Sequence, residues 1–169
     1  MKNPVLVVSS VTGNTYKVAQ AIVAAYPTMK LARTLDVKNN PALIKDSDTV
    51  IVGFWCDKGG LPPDLNELLP LIHDKTLGIF STMTGDPTSP KAQTWFEAQC
   101  QKIVGNEKNN TLEGTFLCRG KLSPILMKQF RQNSAHYTPE REAVWEAAAS
   151  HPDEKDCQDA VDAFKSIFQ

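Results

Sequence analysis

Short, unbroken apolar runs alternate along this chain with stretches whose apolar residues recur at helical spacing. Val5-Leu6-Val7-Val8 is apolar throughout and rich in β-branched residues, the pattern of a strand covered on both faces in a parallel sheet. A turn of small and polar residues follows. From Asn14 to Ala25 the residues Val18, Ala21, Ile22 and Ala25 then share one helical face. The same alternation predicts a second strand over Met29 to Val37 and a third over Thr49-Val50-Ile51-Val52-Gly53-Phe54-Trp55. Pro62 and Pro63 suit a helix start, with Leu65, Leu68, Leu69 and Ile72 as its apolar stripe and Pro70 to shorten or kink it. Thr76-Leu77-Gly78-Ile79-Phe80-Ser81 reads as a fourth strand. Ser89-Pro90 then caps and opens a helix that buries Trp95, Phe96, Cys100 and Ile103. Gly114-Thr115-Phe116-Leu117-Cys118 is the fifth strand, and the last helix runs from about Pro152 to Phe168 with Cys157, Ala160, Val161, Phe164 and Phe168 on one face. Strands alternating with helices in this way predict an α/β fold with a doubly wound, five-stranded parallel sheet.

Residues 121–150 break the rhythm. Ser123-Pro124 and Thr138-Pro139 are two further helix starts, so a helical insertion is expected between strand five and the last helix. A lid or partner-binding element and a plain packing extension account for it equally well. The chain has 169 residues, 41% of them hydrophobic, which suits a single domain spanning 1–169.

Charge narrows the possible partners. Eighteen basic residues against 19 acidic ones leave a net charge of −1, so nothing in the electrostatics favours nucleic acid or a membrane surface. Met1-Lys2-Asn3-Pro4 leads straight into an apolar run too short for a signal-peptide core, and no segment approaches the roughly 20 apolar residues that span a bilayer. A soluble, cytoplasmic protein is expected. Cys56, Cys100, Cys118 and Cys157 form no C-x-x-C pair, and His73, His136 and His151 share no ligand spacing, so free thiols and no metal are expected. Asn109-Asn110-Thr111 matches a glycosylation sequon, to which no weight attaches without a secretory signal.

The most informative chemistry lies in Ser9-Ser10-Val11-Thr12-Gly13-Asn14-Thr15, between a buried strand and a helix. A helix N-terminus carries free N–H groups and partial positive charge, and hydroxyl side chains add donors, so this loop can hold a phosphate without Arg or Lys. Rival phosphate loops lack required residues. No G-x-x-x-x-G-K-[ST] occurs, since Leu122 follows Gly120-Lys121 where a hydroxyl is needed, and no G-x-G-x-x-G occurs. None of the cysteines has an Arg six positions later, and strand one ends in Ser9 and Ser10 rather than in acidic residues. Cys118 and Arg119 end strand five, at the edge where ligands bind in such sheets.

Ser9 to Thr15 closely resembles the flavodoxin phosphate loop, in which small and hydroxyl residues surround T-G-N-T. The resemblance implies a flavodoxin-like fold with strand order 2-1-3-4-5 and one bound FMN. Ser9, Ser10, Thr12, Gly13, Asn14 and Thr15 would hold its phosphate. The flavin ring would lie between the loop after strand three, Trp55, Cys56, Asp57, Lys58, Gly59 and Gly60, and the loop after strand four, Thr82, Met83, Thr84, Gly85 and Asp86. Trp55 then stacks on the ring. Gly59 and Gly60 supply either a flexible peptide that turns a carbonyl toward the flavin N5, or a simple turn.

Two departures from the family pattern matter. The second loop has Met83 where flavodoxins often place an aromatic, which would leave one flavin face more open. The chain is near neutral, where flavodoxins are often strongly acidic, and Lys58 sits in a flavin loop. The function implied is electron transfer through FMN to or from a redox partner protein. A small FMN-dependent NAD(P)H:quinone-type reductase, or a flavin-free accessory module, are the alternatives. The Thr-Met-Thr-Gly-Asp-Pro loop and the His-Pro-Asp-Glu start of the last helix are also similar to those of flavodoxin-like proteins that accompany bilirubin reductase in gut bacteria.

Overall fold

A computed structural model describes residues 2–169; Met1 lies outside the described residues. Five parallel strands run β1 (Val5–Val8), β2 (Lys30–Arg33), β3 (Thr49–Trp55), β4 (Thr76–Met83) and β5 (Thr111–Arg119), in spatial order β2-β1-β3-β4-β5. Every residue of β1 is buried, as its unbroken apolar run requires of a strand covered on both faces. Alternate side chains divide between two cores. Val5, Val7, Val50, Val52 and Phe54 face one side, where α2 (Thr34–Asn39), α3 (Ala42–Lys45), α4 (Pro63–Asn66) and α5 (Pro90–Val104) pack. Leu6, Val8, Ile51 and Phe80 face the other, against α1 (Asn14–Ala25) and the last helices.

Several boundaries differ from the periodicity reading. The second strand ends at Arg33 rather than Val37, because Asp36 Oδ2 accepts the Arg33 N–H at 2.8 Å and turns the chain into α2. The helix opened by Pro62-Pro63 lasts only to Asn66, and Pro70 lies in a 3₁₀ turn, Leu69–Leu71. β5 begins three residues before Gly114. Asn110 clamps its start, donating to Ile72 O at 3.0 Å and Val104 O at 2.8 Å and accepting from Lys75 N at 2.9 Å. Trp95 is half-buried rather than core, with its Nε1–H donated to Gly59 O at 2.9 Å.

The insertion contains α6 (Pro124–Gln132) and α7 (Pro139–Ala148). Ser123 Oγ and Thr138 Oγ1 each accept an N–H from the first turn, at 3.2 Å in both cases, the N-cap geometry that satisfies an otherwise orphaned donor. Between the two helices Phe130 and Tyr137 gather on Trp145, with ring centroids 5.9 and 6.4 Å away, and Arg131 pairs with Glu142. The last helical segment is α8 (Glu154–Ala163), broken at Phe164 and continued as α9 (Lys165–Phe168). Asp153 caps α8, which starts two residues later than Pro152 suggested, and Asp156 Oδ2 accepts both the Asp153 N–H at 2.9 Å and a contact from His151 Nδ1 at 2.5 Å. Phe164 seats on a slot of two glycines. A Cβ on Gly78 would stand 2.8 Å from its ring, and one on Gly114 2.7 Å from the Ala163 carbonyl oxygen. Among the described residues no helix is long and apolar enough to cross a membrane.

Candidate functional site

The carboxyl ends of β1, β3, β4 and β5 meet at one edge of the sheet, where ligands bind in doubly wound folds. After β1 the chain passes through Gly13 at φ 94° and ψ −8°, the left-handed region, and enters α1. Nothing lies within 4 Å of a Cβ built on Gly13, so glycine is needed there for its backbone freedom and not for space. No side chain caps α1. Among the described residues the backbone N–H groups from Ser10 to Thr15 have no acceptor, while Tyr16 N–H donates to Ser10 Oγ at 3.3 Å. A row of free donors at the start of a twelve-residue helix suits an anion.

The hydroxyls of this loop do different things. Thr12 is exposed. Thr15 is buried, its Oγ1 2.9 Å from Thr82 Oγ1, which ties the loop to the end of β4. Ser9 is 2% exposed and donates to both Asp64 oxygens at 2.9 Å, while Thr34 Oγ1 donates to the same carboxylate at 2.5 Å. Ser9 is thus turned under the loop, toward α2 and α4. Asn14 Nδ2 reaches Lys121 O at 2.9 Å, fastening the foot of the insertion to the loop.

Beside the loop opens a cavity of about 500 Å³, within the size range of small-molecule and cofactor sites. Its walls come from Ser10 to Thr12 with Asn14 and Thr15, from Trp55 to Lys58, from Thr82 to Thr84, and from the insertion. Cys56 N–H donates to Thr82 O at 3.2 Å and holds the two strand-end loops together. Trp55 is half-buried, and its Nε1–H is enclosed with no acceptor among the described residues. Burial pushes the Cys56 thiol above its ordinary pKa; the Gly59 N–H opposes this and the Asp57 charge adds to it, so the group is a neutral thiol at physiological pH.

Lys58 at φ 49° and Gly59 at φ 80° form the centre of a tight turn, closed by Asp57 N–H to Gly60 O at 3.2 Å and Gly60 N–H to Asp57 O at 2.8 Å. Positive φ at both central positions marks a type I′ turn. The Gly59 carbonyl is already engaged by Trp95. Gly59, Gly60, Gly85 and Asp86 frame the loops without lining the cavity, as do Ser9 and Gly13. Asp86 is exposed; hydrogen bonds from the Thr88 N–H and hydroxyl, together with Arg119 at 3.8 Å, hold its carboxyl below the usual range. Cys118 is buried in the core on the α1 side, away from the cavity. The charged residues on the cavity wall are Lys58 and Lys121 against Asp57.

Gly120, Lys121, Leu122, Ser123, Leu126 and Phe130 also line the cavity, and the sequence reading places none of them at the site. A signal existed: Leu122, Leu126 and Phe130 recur at a spacing of four just past the binding edge of β5, the period of one helical face.

The flavodoxin domain family matches residues 5–165. The flavodoxin-like domain-containing protein BilS of Clostridioides difficile (strain CD3) is 29% identical over 172 residues, which span 95% of this chain and 92% of that one. Flavodoxin 2 from Bacillus cereus superposes with a TM-score of 0.58 at 18% identity, over 98% of this chain and 99% of its own. General stress protein 14 from Treponema denticola, solved in complex with FMN, gives 0.60 at 9% identity over 98% and 99%. At such identities the two structures share the fold with this chain. With the family match covering nearly its whole length, the chain belongs to the flavodoxin domain family.

Proposed function

We propose that this protein binds FMN in the cavity at the sheet edge and carries electrons between redox proteins. The observation behind this reading is that unclaimed N–H donors from Ser10 to Thr15 and the side chain of Trp55 line one cavity at the sheet edge. A phosphate would meet the free donors and a planar ring would lie against the Trp55 side chain, so the residues present fit the cofactor. When bound, FMN supplies one- and two-electron redox chemistry that no side chain of the site can perform.

The protein's part is to hold, orient and shield. Ser10, Thr12, Asn14 and Thr15 with their backbone N–H groups would receive the phosphate, without a basic side chain in the loop. Trp55 and Met83 would lie against the ring, and Cys56 to Lys58 and Thr82 to Thr84 would border it. Ser9, expected to bind directly, would act through Asp64 by fixing the loop's path. The family membership and the FMN complex of the Treponema denticola protein support the same cofactor. A redox protein is the proposed partner, and the narrower resemblance of the Thr82 to Pro87 loop makes a bilirubin reductase the first one to test.

Titrating the purified, flavin-stripped protein with FMN and following flavin absorbance and fluorescence tests the reading. Saturable one-to-one binding is expected. Because Thr12 is exposed, Thr12→Glu disturbs no core packing. It sets a carboxylate beside the phosphate, a repulsion on the order of 3 kcal/mol, or about a 100-fold loss of affinity. Unchanged affinity in that variant overturns the phosphate assignment, and absence of binding by the parent overturns the cofactor.

A further inference from the structure

The loop after β4 carries Met83 where an aromatic would close the second side of a flavin pocket, yet the cavity is walled on several sides. Part of that wall comes from the insertion. Leu126 and Phe130 of α6, four residues apart, and Leu122 just before its cap all line the cavity, although α6 has no fully buried residue. A helix serving only as a packing extension would bury its apolar stripe in the core. This stripe meets the cavity instead, and Leu126 remains 39% exposed there.

The insertion is built to hold such a wall. Gly120 N–H donates to Met83 O at 2.8 Å, and Asn14 donates to Lys121 O, so the foot of α6 is bonded to the end of β4 and to the phosphate loop. Ser123 caps the helix. Phe130 is braced from behind by Trp145, itself only 6% exposed, with its ring centroid 5.9 Å away.

We propose that α6 is the second wall of the cofactor site, with Leu126 and Phe130 covering the side of the flavin that the Met83 loop leaves without an aromatic. The assignment rests on the FMN reading above. It makes the insertion a binding element, and it closes to small planar substrates a face that the sequence alone suggests is open. Covering an apolar ring with these two side chains removes apolar surface from water on both partners, which favours retention of the cofactor.

Hydrogen–deuterium exchange of the full chain with and without FMN, read segment by segment, tests this. The expected result is slower exchange in residues 9–15, 55–60 and 82–86 and also in 122–132. Leu126→Ala and Phe130→Ala are each expected to weaken FMN binding about tenfold. Leu126, partly exposed and outside the Trp145 cluster, keeps the test valid if the Phe130 variant unfolds the insertion. Slowed exchange in the three loops with none in 122–132, together with parental affinity in Leu126→Ala, overturns the proposal and leaves the cofactor reading standing. No slowing in any of these segments, with no binding, overturns both.

Discussion

Trp55 carries an enclosed indole N–H with no acceptor among the described residues, and an unsatisfied buried donor costs about 1–3 kcal/mol. Phenylalanine at this position loses some apolar contact and removes that cost. The two effects oppose each other. In Trp55→Phe the stability without FMN is therefore expected to stay within about 1 kcal/mol of the parent, while FMN affinity falls through loss of ring area. Chemical denaturation beside an FMN titration checks both; a large loss of stability with unchanged affinity would make Trp55 a core residue and nothing more. Ser9 predicts the opposite division. Its hydroxyl serves Asp64, so Ser9→Ala is expected to lower stability by about 1 kcal/mol and leave FMN affinity within about twofold, since the free N–H row begins at Ser10. The same pair of measurements decides it. In the sequence Ser9 and Ser10 look alike as phosphate ligands. What separates them is a carboxylate 55 residues away, and no local pattern carries that information.

The elements read best from the sequence are those whose cause is local. Unbroken apolar runs gave β1 and β3, and Ser-Pro and Thr-Pro pairs gave the starts of α5, α6 and α7, each with its hydroxyl on a first-turn N–H. The strand over Met29 to Val37 was overextended. Leu31 to Val37 has a fair β pattern, and only the contact of Asp36 with the Arg33 N–H reveals the switch into α2. Helix α6 was legible as a helix and not as a cavity wall, because periodicity shows which residues share a face and not what that face meets. Its weak burial has a measurable consequence. A helix with no buried residue draws little on the core, so removing its N-cap should act locally. Ser123→Ala is expected to cost about 1 kcal/mol within the insertion, seen as faster amide exchange in residues 124–132. Global unfolding should move little, because sub-global opening of such an element lies below the global stability. A drop in the global midpoint of the full amount would show instead that α6 unfolds with the sheet.

At the scale of the whole molecule, the choice between a carrier and a reductase turns on who may approach the cofactor. Direct hydride transfer needs the nicotinamide held face to face with the flavin, reacting atoms about 3–3.5 Å apart. Electron transfer between proteins needs only an edge that a partner can approach. The sheet edge brings the start of α1 and the loops after β3 and β4 to one cavity of about 500 Å³, and the insertion adds Leu122, Leu126 and Phe130 to its lining. On the proposed reading, a second planar ligand stacked on the ring would have to displace that wall, whose foot is hydrogen-bonded to Met83 and Asn14. A partner protein meets no such obstacle at the mouth, where Val11 is 74% exposed and Lys58 and Lys121 stand against a single Asp57. Steady-state oxidation of NADH or NADPH with benzoquinone by the FMN-loaded protein alone is therefore expected to turn over well below about 1 s⁻¹, the lower end of ordinary enzyme rates. Turnover of about 10 s⁻¹ would mean that the wall opens during catalysis and that the protein is a reductase in its own right. Slow turnover that becomes fast when a redox protein is added places this chain within an electron-transfer pair, with the cofactor held by one edge of the sheet and guarded by the insertion.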